Sequence, residues 1–174
     1  MSPSSRRKTP RGRKLSHVTR GADGAESRMV DVGAKPVSER AAVARAQVRF
    51  PSGLAEVVLA GGGPKGPVTE IARAAGLLAA KRTGDLIPMC HPLALDHLEI
   101  RFERAGDVLE IRCRAATRGR TGVEMEALVG ATIAALTVYD MTKALDPSIA
   151  IERVELVEKR GGRSGIWKRA GRGS

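Results

Sequence analysis

Several groups of residues in this chain could do acid–base or anion chemistry. Asp140 and Lys143 stand three apart, which on a helix places them on one face. An acid this close to a helix C-terminus opposes the macrodipole. Tyr139 and Met141 flank it, so its face is not obviously a solvated one. An Asp–Lys pair in a pocket can run acid–base chemistry, because burial and opposite charge tune both pKa values. A structural i,i+3 pair fits the same spacing. Lys65 ends the glycine-rich run Gly61-Gly62-Gly63-Pro64-Lys65-Gly66 just ahead of a helical pattern. Backbone N–H groups at a helix start favour phosphate, and a neighbouring lysine adds charge. The run is no Walker loop, since Gly-x4-Gly-Lys-Ser/Thr is absent. A plain surface loop has the same composition. Pro88-Met89-Cys90-His91-Pro92 sets a His between two prolines, which would hold its backbone in one place. A structural His fits too. A zinc site from Cys90, His91, His97 and Cys113 is poorly served, because adjacent Cys and His suit a tetrahedral centre badly. Glu124-Met125-Glu126 opens a long helical pattern. Thr121-x-x-Glu124 reads as a capping box, and both acids suit the positive end of the helix.

The elements that must position these groups follow from periodicity. Residues 29–33 form a short β-like run. Ala42, Ala44, Ala46, Val48 and Phe50 then alternate with Arg45, Gln47 and Arg49, which predicts a strand with one wet face. Pro51-Ser52-Gly53 ends it, and Ser52 is placed to cap a short helix over 54–59. Residues 68–81 carry Ile71, Ala74, Ala75 and Leu78 at helical spacing and predict a buried helix. Gly84 and Pro88 mark the following turn. Two alternating runs, 98–103 and 109–115, flank Ala105-Gly106-Asp107 and predict a hairpin. A long helix over 122–145 is stopped by Asp146-Pro147. A last strand covers 149–159, with Val154 and Leu156 facing one way. The exit Gly161-Gly162-Arg163-Ser164-Gly165 is flexible and basic. The order is β-α-β-β-α-β: an α+β, ferredoxin-like split fold, with an antiparallel sheet and two helices on one face. Its many small strand residues predict partner subunits over the other face.

Composition narrows the functions available. The chain has 174 residues, the length of one domain, and is 42% hydrophobic. Aromatic residues are only 2%, which argues against base stacking and nucleic-acid recognition. The net charge of +11 is unevenly placed. Residues 1–28 hold eight basic and two acidic residues, and 160–174 hold five basic and none acidic. The body between them has 17 of each. The body is therefore not a basic nucleic-acid domain. Residues 1–14 read as a disordered Ser/Pro/Arg arm and 169–174 as a flexible tail, around a single catalytic domain over 15–168. Two cysteines suggest a reducing cytoplasm, and no apolar run is long enough to span a membrane.

The segments MVDVGAK (29–35), AAKRTGDLIPMCHPL (79–93), TGVEMEAL (121–128), TVYDMTKA (137–144) and KRGGRSG (159–165) resemble the cyclic pyranopterin monophosphate synthase family of molybdenum cofactor biosynthesis. The resemblance runs from about Leu15 to Lys168. It implies a ferredoxin-like homohexamer, a trimer of dimers, with its site between subunits. It implies conversion of 3′,8-cyclo-7,8-dihydroguanosine 5′-triphosphate to cyclic pyranopterin monophosphate, with release of pyrophosphate and no metal or organic cofactor. By the same resemblance Asp140, Lys143 and Lys65 are catalytic. Met89, Cys90, His91, Met125, Glu126 and Lys159 contact substrate. The chain departs from the family pattern at Gly84, where a bulky aromatic is usual, and at Met89, Thr142, Arg160 and Arg163.

Overall fold

The computed structural model describes residues 18–21, 24–162 and 165–170. The expected arm over 1–14, Arg163 and the end of the tail lie outside them. The chain divides into two compact units, Met1–Asp31 and Val32–Ser174. In the first, β1 (Val18–Gly21) pairs antiparallel with β2 (Gly24–Ser27), a hairpin that no sequence pattern announced. Residues 29–33 are not a strand. The chain turns there instead, with the Lys35 N–H donated to the Val32 carbonyl at 3.0 Å.

The second unit carries β3 (Ser38–Arg49), α1 (Leu54–Gly61), α2 (Val68–Lys81), α3 (Thr83–Leu86), β4 (His97–Ala105), β5 (Val108–Gly119), α4 (Glu124–Thr142), β6 (Ala150–Arg160) and β7 (Ile166–Lys168). The five strands form one antiparallel sheet in the order β4-β5-β3-β6-β7. The first four have the ferredoxin-like order. β7 extends that sheet, with Trp167 opposite Lys159. Two-residue alternation decides the strand faces. Ala42, Ala44, Ala46 and Val48 of β3, with Leu109, Ile111, Cys113 and Ala115 of β5, are buried toward the helices. The other face is charged: Arg45 binds Glu155 at 2.5 Å, and Arg112 binds Glu110 at 2.6 Å. On β6, Val154 and Leu156 do face one way, opposite Ala46 and Ala44, but only Leu156 packs on the core.

α2 and α4 cover the sheet, and their contact is made by small residues. A Cβ at Gly76 would fall 2.7 Å from the Gly130 carbonyl oxygen. A Cβ at Gly130 would fall 2.6 Å from the Cys113 sulfur. Only glycine admits so close an approach. The buried side of α2 is therefore Val68, Ala72, Gly76, Ala79 and Ala80. The sequence had pointed to Ile71 and Leu78, but these stay 48% and 51% exposed. The helix layer selects for small volume rather than for hydrophobicity.

Two expected caps also fail. α1 starts at Gly53 in the left-handed region (φ 77°), with no bond from Ser52. The Gly53 N–H is held by Asp107 of the hairpin turn at 2.8 Å. α4 begins at Glu124 without a side-chain cap, so Thr121 and Glu124 form no capping box. No helix among the described residues is long and apolar enough to cross a membrane.

Candidate active site

The C-terminal end of α4 gathers three charged side chains. One oxygen of Asp140 accepts from the Lys143 ammonium at 2.7 Å, and the other accepts from Lys65 at 2.9 Å. Helical spacing brings Lys143 onto the face of Asp140. Lys65 arrives from a loop 75 residues earlier in the chain. Gly63 and Gly66 bond each other through both backbone groups at 3.0 Å, closing a tight turn with Lys65 inside it. A Cβ at Gly63 would come within 2.8 Å of Val68 and 3.3 Å of the Met141 carbonyl oxygen. The bare glycine lets the loop dock on the end of α4, and this delivers Lys65 to Asp140.

All three side chains are about half-exposed, so Asp140 stands on a solvated face after all. Its pKa is nonetheless held down to about 2, by the bond from Lys143 first and that from Lys65 second. The same pairing raises Lys143. The lysines rather than burial do the tuning. A carboxyl with so low a pKa is a poor proton acceptor near neutrality. It is well suited to hold two ammonium groups a fixed distance apart.

A second group stands at the opposite end of α4. Lys159 donates to Glu124 at 3.0 Å, and both are about two-thirds buried. Glu126 is only 3% exposed, and its Oε2 has no hydrogen-bond partner. Burial raises its pKa, and the Glu124 charge adds to the rise. Cys90 is half-buried in the turn after α3, with its N–H donated to the Ile87 carbonyl at 2.9 Å. Burial first, and then the nearby Glu126, raise the Cys90 thiol, which favours its neutral form. His91 is half-buried beside it, while Met89 and Met125 are exposed. His, Cys, Asp and Glu do not gather in threes among the described residues.

The residues singled out by the sequence therefore form two groups in one chain. Sixteen residues of helix separate Glu124 from Asp140, about 24 Å along the axis. Two further charged residues accompany the Lys159 end. Glu124 had been assigned to a cap, and its true partner lies 35 residues away, where no local signal reaches. Arg40 falls in the apolar register of β3, two residues before Ala42, and its buried Nε has no partner. A cation breaking an otherwise apolar alternation was the available signal.

Residues 29–162 match the MoaC family. The chain belongs to the MoaC family. It is 50% identical over 156 residues to the cyclic pyranopterin monophosphate synthase of Novosphingobium aromaticivorans, an alignment covering 90% of this chain and 98% of that protein. It is 48% identical over 158 residues to the protein of the same name from Chloroflexus aggregans, covering 90% and 94%. The Thermomicrobium roseum synthase is 48% identical over 157 residues, covering 89% and 95%. Both ends of α4 lie inside the stretch that matches the MoaC family.

Proposed function

We propose that this chain is a cyclic pyranopterin monophosphate synthase acting in molybdenum cofactor biosynthesis. It takes 3′,8-cyclo-7,8-dihydroguanosine 5′-triphosphate and forms cyclic pyranopterin monophosphate and pyrophosphate. The observation that carries this reading is the clamp of Asp140 on Lys143 and Lys65, built from the TVYDMTKA helix and the glycine loop. The family match and the 50% identical synthase support it independently.

The chemistry assigns a role to each group. A sugar oxygen attacks the α-phosphorus, the bond to the bridging oxygen breaks, and pyrophosphate leaves. Charge on the phosphoryl oxygens is best met by fixed cations. Lys65, Lys143 and Lys159 supply them. Asp140 keeps two of the three, Lys65 and Lys143, aligned. Lys143, whose pairing with Asp140 raises its pKa, stays an ammonium and donates hydrogen bonds to oxygens that gain charge as the rings open and close. Glu126, carried neutral to higher pH than an ordinary carboxyl, is the acid–base group at the other end. Met89, Cys90, His91 and Met125 line the pterin side.

Two groups about 24 Å apart cannot serve one small substrate from a single chain. The working site is therefore composite: the Asp140 end of one copy faces the Lys159 end of another. The assembly is a homohexamer, a trimer of dimers. The test is incubation with the cyclised triphosphate and detection of pterin and pyrophosphate. Lys65→Ala, in a half-exposed loop, keeps its melting temperature and loses turnover. Near-normal pterin formation by that variant would remove Lys65 from the site.

A further inference from the structure

The start of α4 holds an ion pair that helix formation does not explain. A glutamate in the first helical turn usually serves the free backbone N–H groups there. Glu124 makes no such bond. Its carboxylate instead accepts from Lys159 at 3.0 Å, across 35 residues of sequence. The surroundings are shaped for this. A Cβ at residue 122 would sit 1.8 Å from the Glu124 Oε2, so the carboxylate occupies space that only Gly122 leaves open. Lys159 has no second acid partner among the described residues.

We infer that Glu124 is a positioning residue that holds the Lys159 ammonium at one place in the empty site, so that an incoming phosphate meets an aligned cation. The inference rests on the reading of Lys159 as a substrate-binding group. A lysine is a point charge on a flexible four-carbon stem and does not aim itself. Glu124 thus fixes where Lys159 starts. It need not touch substrate, and because an ammonium has three donors it keeps hold of Lys159 while Lys159 also serves the phosphate.

Charge and positioning are read in different measurements, anion binding and turnover. In Glu124→Gln, Lys159 remains and one negative charge is gone, so inorganic pyrophosphate binds at least as tightly as to wild type. Turnover of the cyclised triphosphate nevertheless falls roughly tenfold or more, the scale of one misaligned charge-assisted hydrogen bond. Gly122→Ala keeps both charges but displaces the carboxylate, and reproduces the loss in kcat. Lys159→Ala weakens pyrophosphate binding in calorimetry. Wild-type kcat in Glu124→Gln beside a defective Lys159→Ala would overturn the positioning role alone. So would a Glu124→Gln variant whose pyrophosphate affinity drops along with its kcat. A Lys159→Ala variant with normal binding and turnover would overturn the assignment of Lys159 to the site and this role with it.

Discussion

Asp140 shares its two oxygens between two ammonium groups and stays ionised far below the usual carboxylate range. Asp140→Asn keeps the shape but releases both lysines. Turnover falls roughly a hundredfold or more, the effect of misplacing reacting groups by about an ångström. Pyrophosphate affinity stays close to wild type, because the lysines themselves remain. The melting temperature moves little, since the pair stands in solvent. Normal turnover in single-turnover assays would make Asp140 a surface ion-pair residue only. The pH dependence has a defined sign. A depressed carboxyl contributes its pairing energy above its ordinary value and loses it as pH falls through the folded value, here about 2. The raised Lys143 contributes below its ordinary value and loses its pairing only as pH rises beyond it. Asp140 therefore gives no acid limb to kcat/KM in the ordinary carboxylate range. An acid limb from the raised Glu126 survives in Asp140→Asn and disappears in Glu126→Gln. A limb lost in Asp140→Asn instead would make Asp140 the titrating group.

Among the elements, close packing of α2 on α4 is the feature most open to test. Gly130→Ala puts a methyl group 2.6 Å from the Cys113 sulfur and 3.3 Å from the Ala80 Cβ, deep in the core. Overpacking of this kind costs about 1–3 kcal/mol in a denaturant melt. Full stability in that variant would show that the helices separate easily. The same contact explains which parts of the fold could be read from sequence. Strands β3, β4 and β5 were legible because strict alternation on Ala42–Phe50, Leu98–Phe102 and Leu109–Ala115 has one interpretation. The span of α2 was legible too, but its inward side was not. Ile71 and Leu78 outrank glycine and alanine by hydrophobicity, while the facing helix admits only small side chains. The β1–β2 hairpin is too short and polar to alternate, and β7 is only three residues long. At the site, the Asp140–Lys143 contact follows from a spacing of three. The approach of Lys65 and the Glu124–Lys159 pair depend on chain crossings that no local window contains.

At the scale of the whole molecule, the two ends of α4 pose the sharpest question. If each site joins the Asp140 end of one copy to the Lys159 end of another, two inactive variants can rescue each other. Asp140→Asn and Lys159→Ala, co-expressed and purified together, form mixed dimers with one intact site and one doubly damaged site. Random pairing then restores about a quarter of wild-type activity for a two-fold interface. Absence of rescue, with mixed dimers demonstrated by mass, would place the whole site within one chain. Small residues dominate the buried faces of the sheet and α4, so little large apolar volume is available to stabilise an isolated copy. The exposed Ile71, Leu78 and Leu136 of the outer helices add apolar surface that a second copy would cover.

The pairing of β7 with β6 also supplies an optical reporter. Trp167 is the only tryptophan in the chain, and its cross-strand partner is Lys159. The indole is 38% exposed, with the Arg169 guanidinium 5.7 Å from its ring centroid. Its emission therefore comes from one known place beside a proposed phosphate ligand. A phosphate arriving at Lys159 would change the field at the indole and shift that emission. Stopped-flow fluorescence of the unlabelled protein could then time phosphate arrival separately from pterin formation.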